Sequence, residues 1–348
     1  MSYVRDNIAR MKGYMPGFQP KGSGYIKLNT NENPYPPSPR AVSAMQEVCS
    51  ERIRKYPDPF AEDFRQKAAE LFDIDPNGII CGFGSDDILT ICIRTFCDPG
   101  DTIAFPYPSY SLYEMLAQIQ DVRPMSVEFP EDYSIPEGLF NISASLTFLA
   151  NPNSPSGTQV STKAVEKLAH SVDGVLVVDE AYVDFAAEHC ASLVNRCRNV
   201  IVTRTLSKSY SLAGLRFGYA MGDEALITEM MKVKDSYNVS APGIAGATAA
   251  IEDQEWLQEN VGKIVNTRQH LSDKLEQLGF RCWPSQANFV LAKVPEGYSA
   301  AQLHQDLFKN KILVRYFDLP RLDDCLRITI GTDAEIGRLL ETLKELTG

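Results

Sequence analysis

Two short runs of β-branched and aliphatic residues constrain the architecture of this chain more than anything else in it. Gly174-Val175-Leu176-Val177-Val178 ends on Asp179, and Asn199-Val200-Ile201-Val202-Thr203 repeats the pattern with Lys208 in the stretch beyond. Apolar runs without polar alternation belong to strands buried on both faces, as in parallel sheets covered by helices. In such a sheet the strand C-termini converge on one crevice, so Asp179 and Lys208, 29 positions apart, can meet there.

The neighbouring segments extend the pattern. Ile79-Ile80-Cys81 reads as a strand and Gly82-Phe83-Gly84-Ser85-Asp86 as a turn, after which Ile88, Leu89, Cys92, Ile93 and Phe96 recur at helical spacing. Residues 102–105 and 146–150 are further strands. A helix with Val160, Ala164, Val165, Leu168 and Ala169 on one face stands between the second of these and Val175. Alternating strands and helices predict an α/β layer fold with a mostly parallel central sheet. After about residue 245 the texture changes to a long polar helix over 256–278, strands at 288–294, 312–316 and 326–330, and a closing helix. A chain of 348 residues exceeds what one core usually supports. We therefore expect an arm at 1–25, a large domain at 26–245 and a small α+β domain at 246–348.

Charge and cysteine usage narrow the class. Lys plus Arg number 34 against 45 Asp plus Glu, a net charge of -11 that argues against a broad nucleic-acid surface but leaves room for a local basic pocket. The first residues lack an apolar signal region, and no later stretch reaches the uninterrupted apolar length of a membrane span, so the expected location is the cytoplasm. The eight cysteines form no CxxC pair and only His189 adjoins one of them, which predicts buried thiols in a reducing compartment and no metal site.

The chemistry-bearing residues lie at the predicted strand ends. Val177-Val178-Asp179-Glu180-Ala181-Tyr182 and Thr205-Leu206-Ser207-Lys208 place an acid, a phenol and an amine on adjacent loops. A lysine can form a Schiff base with an aldehyde cofactor, and a buried carboxylate can keep a pyridine nitrogen protonated so that the ring accepts electrons. The glycine turn before Ser85 could present free N–H groups to an anion at a helix start, or be a plain turn with Ser85 or Asp86 as N-cap. Taken singly, Asp179 could equally cap a helix, Asn153 close a turn, Tyr182 lie on a helix surface and Lys208 be a solvated lysine.

Together these segments resemble a family. Leu28-Asn29-Thr30-Asn31-Glu32-Asn33-Pro34, Asn151-Pro152-Asn153-Ser154-Pro155-Ser156-Gly157, Thr205 through Gly218 and Leu326-Arg327-Ile328-Thr329-Ile330-Gly331-Thr332 span almost the whole chain. The set is similar to that of the fold-type I pyridoxal phosphate (PLP)-dependent aminotransferases, and within them to histidinol-phosphate aminotransferases. The resemblance implies an arm packed with the small domain. It implies a PLP phosphate held by Gly84, Ser85, Asp86, Ser207 and Arg216, and a ring stacked by Tyr110, although Tyr107 and Tyr113 are close alternatives in sequence. Asn153 and Tyr182 would donate to the ring oxygen, Asp179 would hold the ring nitrogen, and Lys208 would bond the cofactor and move the substrate proton. Tyr56 would reach the cofactor of the neighbouring subunit in a homodimer.

At the substrate end the resemblance implies Tyr14, Asn29, Arg315 and Arg327. Strand alternation puts Leu326, Ile328 and Ile330 on one face and Arg327 on the other, free to enter a cleft. Arg315 alone could be a solvent-facing strand residue. The implied reaction transfers the amino group of histidinol phosphate to 2-oxoglutarate. An aromatic amino-acid aminotransferase and a threonine-phosphate decarboxylase of the same fold are the competing readings. A PLP-fold regulator would need a DNA-binding module, for which about 25 residues before Ile26 leave no room.

Overall fold

A computed structural model describes residues 3–13 and 17–348. Tyr14 therefore lies outside the described residues. The chain begins with α1 (Asp6–Arg10), β1 (Ile26–Lys27), α2 (Pro39–Val48) and α3 (Glu62–Phe72). There follow β2 (Ile79–Gly82), α4 (Ser85–Phe96), β3 (Thr102–Tyr107), α5 (Leu112–Gln120), β4 (Arg123–Glu128) and β5 (Leu146–Ala150). Next come α6 (Thr162–Ala169), β6 (Val175–Asp179), β7 (Val200–Thr205), β8 (Gly218–Gly222), α7 (Glu224–Val233) and α8 (Ala241–Glu252). The C-terminal part holds α9 (Gln254–Gln277), β9 (Arg281–Cys282), β10 (Phe289–Lys293), α10 (Ala300–Lys309), β11 (Ile312–Leu313), β12 (Arg315–Tyr316), β13 (Cys325–Thr329) and α11 (Asp333–Thr347).

Seven strands form the central sheet in the order β2-β8-β7-β6-β5-β3-β4, with only β8 antiparallel to its neighbours. Every residue of β5, β6 and β7 is buried, as their unbroken apolar runs require of strands covered on both faces. The α/β class and the mostly parallel sheet are as expected. Two strands of this sheet were not anticipated. β4 is an exposed edge strand, Arg-Pro-Met-Ser-Val-Glu, with little apolar content, and β8 is a glycine-bounded run, Gly-Tyr-Ala-Met-Gly, lacking the β-branched residues that mark its neighbours.

A four-stranded sheet, β12-β13-β10-β9, and a two-stranded one, β1-β11, carry the C-terminal part. The strand expected at 312–316 is in fact split. Ile312 and Leu313 pair in parallel with β1, whereas Arg315 and Tyr316 pair antiparallel with β13, so the chain changes sheets at Val314. Val160 also departs from expectation: it precedes α6, which Ser161 caps, and its N–H bonds Asn151 Oδ1 at 2.9 Å. Of the cysteines, Cys49 is exposed and Cys282 half-buried; the other six are buried as expected. The N-terminal segment does not pack with the C-terminal part alone. Asn7 donates to the carbonyls of Gln118 and Ile119 at the end of α5, while Phe18 and Tyr25 pack on Phe308 of α10. Among the described residues no helix is long and apolar enough to cross a membrane.

Candidate active site

The register of the central sheet gathers the candidate residues on one edge. Gly82 pairs with Gly218, Gly218 with Thr205, and Ala150 with Asp179, so the segments following β2, β5, β6 and β7 and the one preceding β8 all emerge together. This is the carboxyl edge at which open α/β sheets form their crevice.

At one end of this edge α4 begins without a side-chain cap. Gly84, not Ser85 or Asp86, is the N-cap residue, and its φ of +86° is the left-handed conformation that glycine adopts freely. The turn is held tightly against β8: a Cβ on Gly218 would stand 2.5 Å from the Gly84 carbonyl carbon. The Arg216 guanidinium lies over it, donating to Ser207 Oγ at 3.1 Å and pairing with Asp86 at 3.6 Å. Arg216 itself takes a left-handed φ of 55°, a strained state for a residue with a Cβ and one that clusters at functional sites. The N–H groups of Phe83 and Gly84 are taken by Asp87 and by the Gly82 carbonyl, so the first turn of α4 at Ser85 and Asp86, with the Arg216 cation over it, is the cup that could hold an anion such as phosphate.

Asp179 closes β6 and is 4% exposed. Its Oδ2 accepts from the Tyr113 hydroxyl at 2.8 Å, and its Oδ1 accepts from Ala181 N at 3.2 Å and Thr203 Oγ1 at 3.4 Å. Among the described residues no lysine, arginine or histidine forms a salt bridge with it. Burial, opposed by these donors, pushes its pKa up to about 6. Burial and the adjacent carboxylate likewise push the Tyr113 phenol well up, keeping it a donor. Because folding raises the pKa of Asp179 from 3.8, its protonated form favours the native state below about pH 4, and that contribution is lost as pH rises through about 6. The change is of the order of 3 kcal/mol. In cofactor-free protein, Asp179→Asn should therefore flatten the fall in stability between about pH 4 and 6. Urea midpoints of the two proteins measure this, and parallel pH profiles would count against it.

Lys208 is half-buried, with Nζ 5.7 Å from the centre of the Tyr182 ring and bonded to the Thr30 carbonyl at 3.3 Å. Tyr182 is not on a helix surface: its ring stands edge-on to Phe289 at 5.0 Å, and its hydroxyl accepts from Asn31 Nδ2 at 2.9 Å. Tyr110 sends its hydroxyl to Asp86 at 3.1 Å and lies T-shaped on Tyr113, whereas Tyr107 bonds Pro320 away from this group. Asn153 is buried and directs its amide to Pro108 O and Ser156 Oγ, bracing the loop after β5 against the one after β3. Tyr56 is 80% exposed and stacks on Tyr237 with ring centres 4.4 Å apart.

The second cluster comes from β12 and β13. Arg315 and Arg327 are register partners; Arg327 donates to Ser154 Oγ and to the Asn29 carbonyl, both at 3.2 Å. Asn29 is buried, its amide bonded to the Phe18 carbonyl at 2.9 Å, while its Oδ1 has no hydrogen-bond partner among the described residues. Arg327 also lies over Phe289, which meets Tyr182, so the arginines are joined to Lys208 through packed rings. Sequence reasoning missed Asn31 and Thr203, and it weighed Tyr113 only as a stacking ring. Asn31 lies in the Leu28–Pro34 segment, and its φ of 57° with bonds to Tyr182, Thr329 and Asn288 gives it a bracing role. The partners of Asp179 carried no local signal, because strand pairing and burial bring them there.

The family described as Aminotransferase class I and II matches residues 23–343, and the chain belongs to that family. It is 47% identical over 347 residues to histidinol-phosphate aminotransferase 1 of Nostoc sp., covering 99% of this chain and 98% of that one. It is also 47% identical over 335 residues to the histidinol-phosphate aminotransferase of Rhodopirellula baltica, covering 95% and 92%. The crystal structure of histidinol-phosphate aminotransferase from Sinorhizobium meliloti in complex with pyridoxal-5'-phosphate superposes with a TM-score of 0.89 at 28% identity over 99% of both chains.

Proposed function

We propose that this chain transfers the amino group of L-histidinol phosphate to 2-oxoglutarate, releasing imidazole acetol phosphate and glutamate, with PLP as its cofactor. The observation that carries the substrate is the pairing of Arg315 with Arg327 across β12 and β13, since two guanidiniums suit a phosphate dianion better than a single carboxylate. The names of the near-full-length relatives support the same reading.

The residues present fit PLP, because a buried acid without a cationic partner suits a protonated ring nitrogen and the α4 cup suits a phosphate. Gly84, Ser85, Asp86, Ser207 and Arg216 would hold the phosphate, Asp86 through its place at the helix start. Tyr110 would face the ring, and Asn153 and Tyr182 its oxygen. When bound, the cofactor supplies an aldehyde carbon and an electron-accepting ring. Lys208 Nζ takes the proton from the substrate α-carbon. Asp179 stays ionised beside the ring nitrogen. Asn29 would flank the substrate phosphate with the two arginines.

The highly exposed Tyr56 suits a homodimer in which it reaches the partner's cofactor. Residues 26–245 would form the cofactor-binding domain and 246–348 the small domain that carries Arg315 and Arg327. Eight unpaired thiols fit the cytoplasm.

The test is a single-turnover absorbance experiment in which holoenzyme meets histidinol phosphate, phenylalanine or threonine phosphate. Saturable conversion with histidinol phosphate alone is expected. Faster conversion with phenylalanine, or CO2 release from threonine phosphate, would replace this reading. Arg315→Gln should raise KM for histidinol phosphate roughly 10- to 100-fold, the worth of one charge-assisted contact. A change below threefold, on the order expected of a rim residue, would remove Arg315 from the site.

A further inference from the structure

Two arginines placed directly opposite one another on antiparallel strands repel, so something must hold them in place before a ligand arrives. Arg327 is held in part by Ser154 Oγ and the Asn29 carbonyl, but the group that both arginines share is aromatic. The Arg315 guanidinium lies 5.1 Å from the centre of the Phe317 ring, and that of Arg327 lies 5.4 Å from the same ring. Phe289 holds Arg327 from another side at 5.1 Å.

Phe317 is itself anchored. It packs against Leu291, Leu322 and Cys325, and the loop beyond it is tied back to the larger sheet unit by Tyr107, whose hydroxyl donates to Pro320 O at 3.1 Å, and by Arg321, which donates to Phe129 O at 2.5 Å. The ring is thus an anchored aromatic plate that both cations approach.

We propose that Phe317 is a specificity-determining positioning residue whose ring holds Arg315 and Arg327 together so that both engage one dianionic phosphate group of the substrate. The proposal rests on the substrate reading above and deepens it. An α-carboxylate takes one bidentate guanidinium fork, so a site with loose arginines still binds it. A dianion that needs both guanidiniums gains most when their separation is set in advance and little ordering entropy is lost on binding. The shared ring therefore favours phosphorylated amines over plain amino acids.

The experiment compares wild-type holoenzyme with Phe317→Leu, which removes the π face at similar bulk, and Phe317→Tyr, which keeps it. Two quantities are read: KM and kcat for histidinol phosphate, and the inhibition constant of inorganic phosphate. Loss of two cation–π contacts predicts that both KM and the inhibition constant rise roughly tenfold in Phe317→Leu, with kcat shifting much less, while Phe317→Tyr stays within about twofold of wild type. Equal behaviour of the leucine and tyrosine variants would overturn the proposal, since packing volume alone would then account for Phe317. Phe317→Met supplies the same comparison where leucine compromises the fold. The inhibition constant can be measured against whichever amine the wild type converts, so a failed substrate reading leaves the test of Phe317 intact.

Discussion

Lys208→Ala should abolish turnover, lowering kcat by roughly 10⁴-fold, because in the proposed reaction one amine both bonds the cofactor and carries the substrate proton. Nothing else described at this edge of the sheet can replace it. Lys208 sits between the Tyr182 ring and the Thr30 carbonyl, while Arg216 is engaged with Ser207 and Asp86. Lys208→Arg sharpens the result. It keeps the positive charge and most of the length but cannot give up its proton, so it should be as inactive as alanine if the chemistry needs a free amine. If charge alone mattered, arginine would rescue. Steady-state rates with 2-oxoglutarate as acceptor decide, and activity within tenfold of wild type in either variant would discard the assignment. Stability should change little, within about 1 kcal/mol, because the side chain is half-buried and its one bond is long.

What was legible in the sequence, and what was not, follows from the range of the forces involved. The apolar runs of β5, β6 and β7 announce themselves because a strand buried on both faces has no polar positions to blur the pattern. β8 is buried just as deeply, yet its glycines are required by close approach: Gly218 packs on Gly84 and cannot carry a Cβ. The local pattern is thereby surrendered to a tertiary contact. The break at Val314 has the same character, because no residue there disfavours a continuous strand and only the competition between β1 and β13 splits it.

The candidate site divides along the same line. Lys208, Asp179 and Arg216 could be picked out because the motifs that carry them occur together and in order, and as a set resemble a known family; taken singly, an acid or a lysine at a strand end is ordinary. Asn31, which orients Tyr182, and Thr203, which bonds Asp179, are ordinary polar residues whose partners lie 151 and 24 positions away. Their part is set by burial, since a buried polar atom must find a partner, and burial is not written in a tripeptide. The motifs thus point to the candidate reacting groups, and the fold supplies what steadies them.

The largest effect on stability is expected from a residue in neither group. Arg204, on β7, is 5% exposed and donates from Nε to Glu180 Oε2 at 2.9 Å, with an ionic Nη2 contact at 2.8 Å and a longer one to Asp184 at 3.4 Å. Its guanidinium lies 4.5 Å from the centre of the Phe72 ring. Glu180 follows Asp179 directly, and Asp184 accepts from the hydroxyl of Ser209, which follows Lys208. One buried cation thus joins the loops carrying the acid and the amine. Arg204→Met should destabilise the protein by about 3–5 kcal/mol, because it strands carboxylates in the interior without their counter-charge. Adding Glu180→Gln should recover a substantial part, since a neutral amide costs far less to bury than an unpaired carboxylate. Urea unfolding of the two single variants and the double variant measures the coupling. A loss below about 1 kcal/mol in Arg204→Met, or strictly additive effects, would mean that water reaches the pair and that these loops are held by packing alone.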